Sequence, residues 1–68
     1  MDNTVAKRMK DLRNEFNLSQ AQFGEKIFVS QDTVSLWESG KSIPTTENII
    51  AICKCFNVSA DYLLGLSD

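Results

Sequence analysis

The chain has 68 residues, room for a single small domain spanning 1–68. Hydrophobic residues make up 43% and charged residues 24%, too apolar for a disordered chain. Seven Lys and Arg face nine Asp and Glu, a formal net charge of -2 that excludes a uniformly basic nucleic-acid coat, and the absence of His excludes a histidine base, metal ligand or pH switch.

Five segments follow in order, each with helical periodicity and most with their own start signal. The first runs from about Thr4 to Phe16, where Val5, Met9, Leu12 and Phe16 form one apolar stripe at i, i+4, i+7 and i+11. Lys7, Arg8 and Lys10 lie off that stripe, and Arg13 sits at its edge. The second opens at Ser19. Ser19-Gln20-Ala21-Gln22 is a capping box, and Leu18 and Phe23 flank it as a hydrophobic staple. This helix runs to about Ile27, with Gly24 at its middle, where glycine costs ~1 kcal/mol relative to Ala and marks close approach by another helix.

Ser30 caps a third helix over about Gln31 to Ser39, with Val34 and Trp37 inward and Gly40 placed to end it in a left-handed conformation. After the break at Pro44, Thr45 or Thr46 caps a fourth helix to about Phe56, with Ile49, Ile52, Cys53 and Phe56 inward and Asn57 as its left-handed stop. Ser59 caps a last helix, Ala60 to Leu64, that ends at Gly65. No segment alternates with period two for long enough to be a strand, so the fold class is all-α, a bundle of five short helices. The expected core also includes Ile27, Val29, Ile43, Val58, Leu63 and Leu64. A core of this size supports a stability of about 5 kcal/mol or less.

Cys53 and Cys55 form a C-x-C that on a helix points its thiols ~200° apart, so they do not bond to each other. Two thiols without His supply half of a structural zinc site, so no metal or other cofactor is expected. No apolar run approaches the ~18 residues of a membrane span, the N-terminus does not read as a secretory signal, and free thiols suit a cytoplasmic location.

The tight link Ile27-Phe28-Val29 between two short helices is what a helix-turn-helix requires. With Val34 and Trp37 inward, ~100° per residue leaves Gln31, Asp32, Ser35, Leu36 and Ser39 on the outward arc of the second of these helices. The face is short and mostly polar, and it suits base edges in a groove.

The run Leu18-Ser19-Gln20, Phe23, Val29-Ser30, Thr33-Val34-Ser35, Trp37-Glu38, Gly40-Lys41 and Pro44 resembles the XRE, or phage-repressor-like (Cro/CI-type), helix-turn-helix family. The similarity continues through Glu47-Asn48-Ile49-Ile50 and Phe56-Asn57-Val58-Ser59 to Asp61-Tyr62-Leu63-Leu64-Gly65, essentially the whole chain. The resemblance implies a five-helix bundle that binds double-stranded operator DNA in the major groove as a homodimer and regulates transcription, as a repressor. It implies a phosphate contact at Gln20, a cap that also touches phosphate at Ser30, base-reading positions at Gln31, Asp32, Ser35 and Leu36, and backbone contacts at Ser39 and Lys41. It also places an ion pair between Arg13 and Glu38, whose helix positions put both at the margin of one core.

Two residues depart from the family pattern. Gly24 stands where Ala is usual, a change that keeps close packing possible. Phe28 stands where Gly is usual. A left-handed Phe costs ~1–2 kcal/mol, so either the turn is reshaped or Phe28 is exposed for a partner.

Charge is uneven, +2 over residues 1–13, -3 over 14–40 and -1 over the remainder. An acidic middle implies few phosphate contacts from cations and a shallow salt dependence of DNA binding. A homodimer is expected through the fourth and fifth helices, where Tyr62, Leu63, Leu64 and Leu66 crowd four large apolar groups into five residues. The competing function is a protein-interaction module on the same fold, an antagonist or antitoxin-like partner. An enzyme is disfavoured, because no nucleophile is paired with a base and no small-molecule substrate site is evident.

Overall fold

In the computed structural model, which describes residues 4–66, five helices follow one another: α1 (Thr4–Glu15), α2 (Gln20–Lys26), α3 (Gln31–Glu38), α4 (Thr46–Phe56) and α5 (Ala60–Leu64). The caps explain the boundaries. Ser19, Ser30, Thr45 and Ser59 each accept a hydrogen bond from the backbone N–H three residues on, which satisfies a donor that the first turn leaves unpaired. Ser19 with Gln22 and Thr45 with Asn48 close the bond in both directions as capping boxes.

Packing is α2 on α3, α1 on α3 and α5, and α4 on α5. Met9 and Leu12 of α1, Phe23 and Ile27 beside them, Val34 and Trp37 of α3, Ile52 and Phe56 of α4 and Leu63 of α5 form one buried cluster. Phe23 stacks on Phe56 with ring centroids 4.9 Å apart, and Phe16 meets the same Phe56 edge-on at 5.0 Å. Val5, Leu18, Val29, Ile49, Cys53 and Val58 pack around this cluster at partial burial. Burial raises the pKa of the Cys53 thiol, while Cys55 is exposed.

Three residues expected in the core lie outside it. Phe16 falls past the end of α1, where Asn17 takes a left-handed φ of 56° and turns the chain, so its ring covers Phe56 from the outside and stays half exposed. Ile43 is 78% exposed because Pro44, one residue on, takes the buried place. Leu64 is exposed because α5 is one turn long and only Leu63 faces inward. Conversely, Ala6 joins Met9 and Leu12 as a buried residue of α1.

Candidate nucleic-acid interface

α3 is fixed from behind and from both ends. Val34 and Trp37 anchor its inner face. At its start, the Ser30 hydroxyl accepts from the Thr33 N–H at 3.2 Å and shares a further bond with the Thr33 hydroxyl at 3.0 Å. At its end, Gly40 takes φ 78°, a conformation glycine adopts without cost. The Gly40 N–H then donates to the Trp37 carbonyl and the Lys41 N–H to the Leu36 carbonyl, the paired bonds of a Schellman close.

The last residue of α3 is also the hub that ties three helices together. Arg13 donates from Nε to Glu38 Oε2 at 2.7 Å and from Nη2 to Oε1 at 3.0 Å, a two-pronged pair with side chains only 13% and 5% exposed. A third arm reaches the Leu18 carbonyl at 2.8 Å. Hydrogen bonding with Glu38 raises the Arg13 pKa further above its ordinary value, outweighing the opposing effect of desolvation. Gln20, the first residue of α2, adds its own bond, Nε2 to Glu38 Oε1 at 3.2 Å. The Arg13–Glu38 pair was expected from the sequence. The Gln20 bond was not, since nothing local links the start of one helix to the end of the next.

Against this frame the expected contact residues fall into two groups. Gln31, Asp32, Ser35 and Leu36 stand together on the exposed side of α3, away from Val34 and Trp37. Asp32 lies in the first turn, where it suits the helix dipole but opposes phosphate. Gln20, Ser30, Ser39 and Lys41 flank this face, with part of their bonding capacity committed. One hydrogen of the Gln20 amide is held by Glu38 and the other remains for an acceptor. Ser30 keeps a free hydroxyl hydrogen when Thr33 is the donor in their shared bond. The Ser39 hydroxyl donates back to the Leu36 carbonyl at 3.1 Å, so a phosphate must displace that bond. Lys41 is exposed, with no side-chain partner among the described residues.

The link between α2 and α3 keeps its tight form. The Gly24 carbonyl accepts from both the Ile27 N–H at 3.1 Å and the Val29 N–H at 2.9 Å. A Cβ at Gly24 would lie 2.5 Å from the Val29 carbonyl oxygen, so what approaches Gly24 is the backbone of the link and not another helix. Alanine does not fit here without a backbone shift, contrary to the expectation that the two are interchangeable. Phe28 is not accommodated by a reshaped turn either. It holds φ 63° and the residue is 96% exposed.

A second surface lies across α1, the loop before α4, and helices α4 and α5. Val5, Ile43, Pro44, Ile49, Ile50 and Leu64 line an apolar groove of about 350 Å³. Of the four residues expected to build a dimer contact, Leu63 closes the monomer core and Tyr62 is half buried beneath the Arg8 guanidinium, 4.6 Å from its ring centroid. Leu64 and Leu66 are exposed.

Residues 9–63 match the family model described as helix-turn-helix. The transcriptional activator BcrR of Enterococcus faecalis is 41% identical over 58 residues, 85% of this chain and 28% of its own length. The antitoxin PezA of Streptococcus pneumoniae is 36% identical over 61 residues, 90% of this chain and 39% of its own. The chain therefore spans less than half the length of either. The crystal structure of the P22 c2 repressor in complex with a synthetic operator superposes with a TM-score of 0.81 at 32% identity, covering 87% of this chain and 89% of that one. No described helix is long and apolar enough to cross a membrane. The five-helix order, the capped α2–link–α3 unit and the matched residues 9–63 all agree: the chain belongs to the helix-turn-helix family, of the XRE, phage-repressor-like type.

Proposed function

We propose that the chain is the sequence-specific DNA-binding domain of a cytoplasmic transcriptional regulator, acting as a repressor, with α3 in the major groove of operator DNA. The observation that carries this reading is the division of α3 into two faces. Val34, Trp37 and the Arg13–Glu38 pair immobilise one, and Gln31, Asp32, Ser35 and Leu36 are presented on the other. The likeness to a repressor solved on its operator supports the same use of the helix.

The chemistry of that face assigns roles. The Gln31 amide sets a donor and an acceptor side by side, the pattern that matches adenine N6 and N7. Leu36 suits a thymine methyl, Asp32 accepts from cytosine N4, and Ser35 is short enough for close approach. Gln20, Ser30, Ser39 and Lys41 hold the flanking phosphates and set the register. The function is recognition, with no chemistry performed on the DNA and no cofactor.

Two copies act together. Exposed Ile43, Ile50 and Leu64 line one apolar groove of the kind that marks an interface, and Leu66, two residues on in the chain, is exposed as well. A homodimer through this face would set two α3 helices one DNA turn apart, ~34 Å. Selection of bound fragments from a random DNA pool tests the proposal. A recovered site with two related half-sites supports it, and a pool without enrichment overturns it. The similarity to the antitoxin PezA favours one second reading, a protein-binding module on this fold. That reading is retained only where the pool shows no enrichment.

A further inference from the structure

The α2–α3 pair is fastened at both ends. At one, the tight link is closed by the Val29 N–H on the Gly24 carbonyl at 2.9 Å. At the other, the first residue of α2 meets the last residue of α3, with Gln20 Nε2 donating to Glu38 Oε1 at 3.2 Å. Among the described residues this is the one side-chain hydrogen bond that joins α2 to α3. Chemistry fixes its direction. The Glu38 carboxylate pairs with Arg13 through both oxygens and accepts without donating, so Gln20 presents its NH2 and not its carbonyl. The second hydrogen of that NH2 has no partner among the described residues.

We propose that Gln20 is a positioning residue for α3, and so a determinant of operator discrimination as well as a phosphate contact. The proposal rests on α3 as the reading helix. A phosphate that takes the second amide hydrogen is joined through one NH2 group to the carboxylate that ends α3. The DNA backbone then sets the tilt of the helix that reads the bases. Tilting a helix ~10 Å long by ~10° about one end moves the other by about 2 Å, beyond the ~0.5 Å that a binding constellation tolerates. The link and the Ser30 cap hold the Gln31 end of α3, so a tilt displaces the Glu38 end. Leu36 and Ser35 lie two and three residues before Glu38, and Gln31 lies seven before it. Arg13 holds the same carboxylate from α1 with two bonds, so the fold survives the loss of Gln20.

The test uses Q20L, which keeps the bulk of the side chain and removes its donors, and Q20K, whose ammonium keeps donors for both a carboxylate and a phosphate. The Arg13–Glu38 pair persists in both variants, and urea unfolding shows them folded. Affinity is measured for the selected operator, for operators changed at single base pairs and for unrelated DNA, each across a salt series. Q20L is expected to bind the operator about tenfold more weakly and unrelated DNA less than about twofold more weakly, because unrelated DNA offers no bases for α3 to fit. Its salt slope is unchanged, since a neutral amide releases no counterions. The lost discrimination falls on the base pairs read by Ser35 and Leu36 more than on the one read by Gln31. Q20K restores the ratio of operator to unrelated DNA and steepens the salt slope by about one. Equal weakening of Q20L on all sequences overturns the proposal and leaves Gln20 a phosphate contact alone. Unchanged binding by Q20L overturns it as well, and so does a Q20K variant that tightens on every sequence without restoring the ratio. A wild type that selects no DNA would instead refute the placement of α3, a failure seen before either variant is compared.

Discussion

Removing the Glu38 carboxylate tests the hub at the end of α3. In E38A, Arg13 loses both bonds to Glu38, at 2.7 and 3.0 Å, and keeps only its bond to the Leu18 carbonyl. Gln20 loses its partner as well. The Arg13 side chain is only 13% exposed, so water replaces the carboxylate incompletely. Stranding a largely buried charge in this way costs ~3–5 kcal/mol. That is comparable to the whole stability expected of so small a core, on the order of 5 kcal/mol. Replacing both partners with apolar residues of similar size, R13M with E38L, removes the charge together with its counter-charge and should cost far less than E38A alone. The assay is urea unfolding followed by the fluorescence of Trp37, the single tryptophan, buried and adjacent to Glu38. With a urea slope of ~1 kcal/mol/M, a 3 kcal/mol loss lowers the midpoint by about 3 M. An E38A midpoint within about 0.5 M of wild type would refute the reasoning, because on the same slope the pair would then contribute little.

Three further outcomes are expected. G24A lowers the urea midpoint: helix propensity favours Ala by ~1 kcal/mol, but a Cβ 2.5 Å from the Val29 carbonyl oxygen overpacks the link at ~1–3 kcal/mol, and a raised midpoint would show that the link yields freely. I43D, at an exposed residue outside the core, should convert a dimer to a monomer in sedimentation equilibrium without changing the monomer's unfolding, and an unchanged dimer would remove this face from the interface. Q31A should relax selection at one base pair, at ~1–3 kcal/mol, whereas equal weakening on all sequences would reassign Gln31 to phosphate.

The parts legible in the sequence are those decided within a few residues. A cap is a side chain and an N–H three positions apart, so Ser19, Ser30, Thr45 and Ser59 announce their helices, and Asn57 announces a left-handed stop, found at φ 55°. The outward arc of α3 follows from 3.6 residues per turn once Val34 and Trp37 are known to be inward. The illegible parts depend on what neighbours can cover. An apolar stripe says which residues seek burial but not how many the bundle can hide, and so Phe16, Ile43 and Leu64 read as core residues yet stay largely exposed. The left-handed Phe28 is imposed by the Gly24 carbonyl across the link, and the Gln20–Glu38 bond by the approach of α2 to the end of α3, neither of which is local in sequence.

The distribution of charge gains a physical meaning once side chains are placed. The sequence concentrates cations in residues 1–13, a local charge of +2. In the structure three of those four cations have partners, one of them at the surface. Lys7 pairs with exposed Asp11 at 2.8 Å, Arg8 covers the Tyr62 ring, and Arg13 is part-buried against Glu38. Lys10 alone of the four is exposed without such a partner among the described residues. Of these cations Arg8 and Arg13 pack on other elements, and the proposed DNA face on α3 and its flanks has Lys41, amides and hydroxyls. Neutral donors gain from phosphate only where geometry is good, and they release no counterions. Such a surface holds random DNA weakly, because the sequence-independent attraction that dominates nonspecific binding is nearly absent. Under the proposed placement of α3, discrimination then depends on fit at Gln31, Asp32, Ser35 and Leu36. On that proposal a misplaced α3 would cost this chain more than it would cost a strongly basic one, so the support that Arg13 and Gln20 give Glu38 would serve recognition as well as stability.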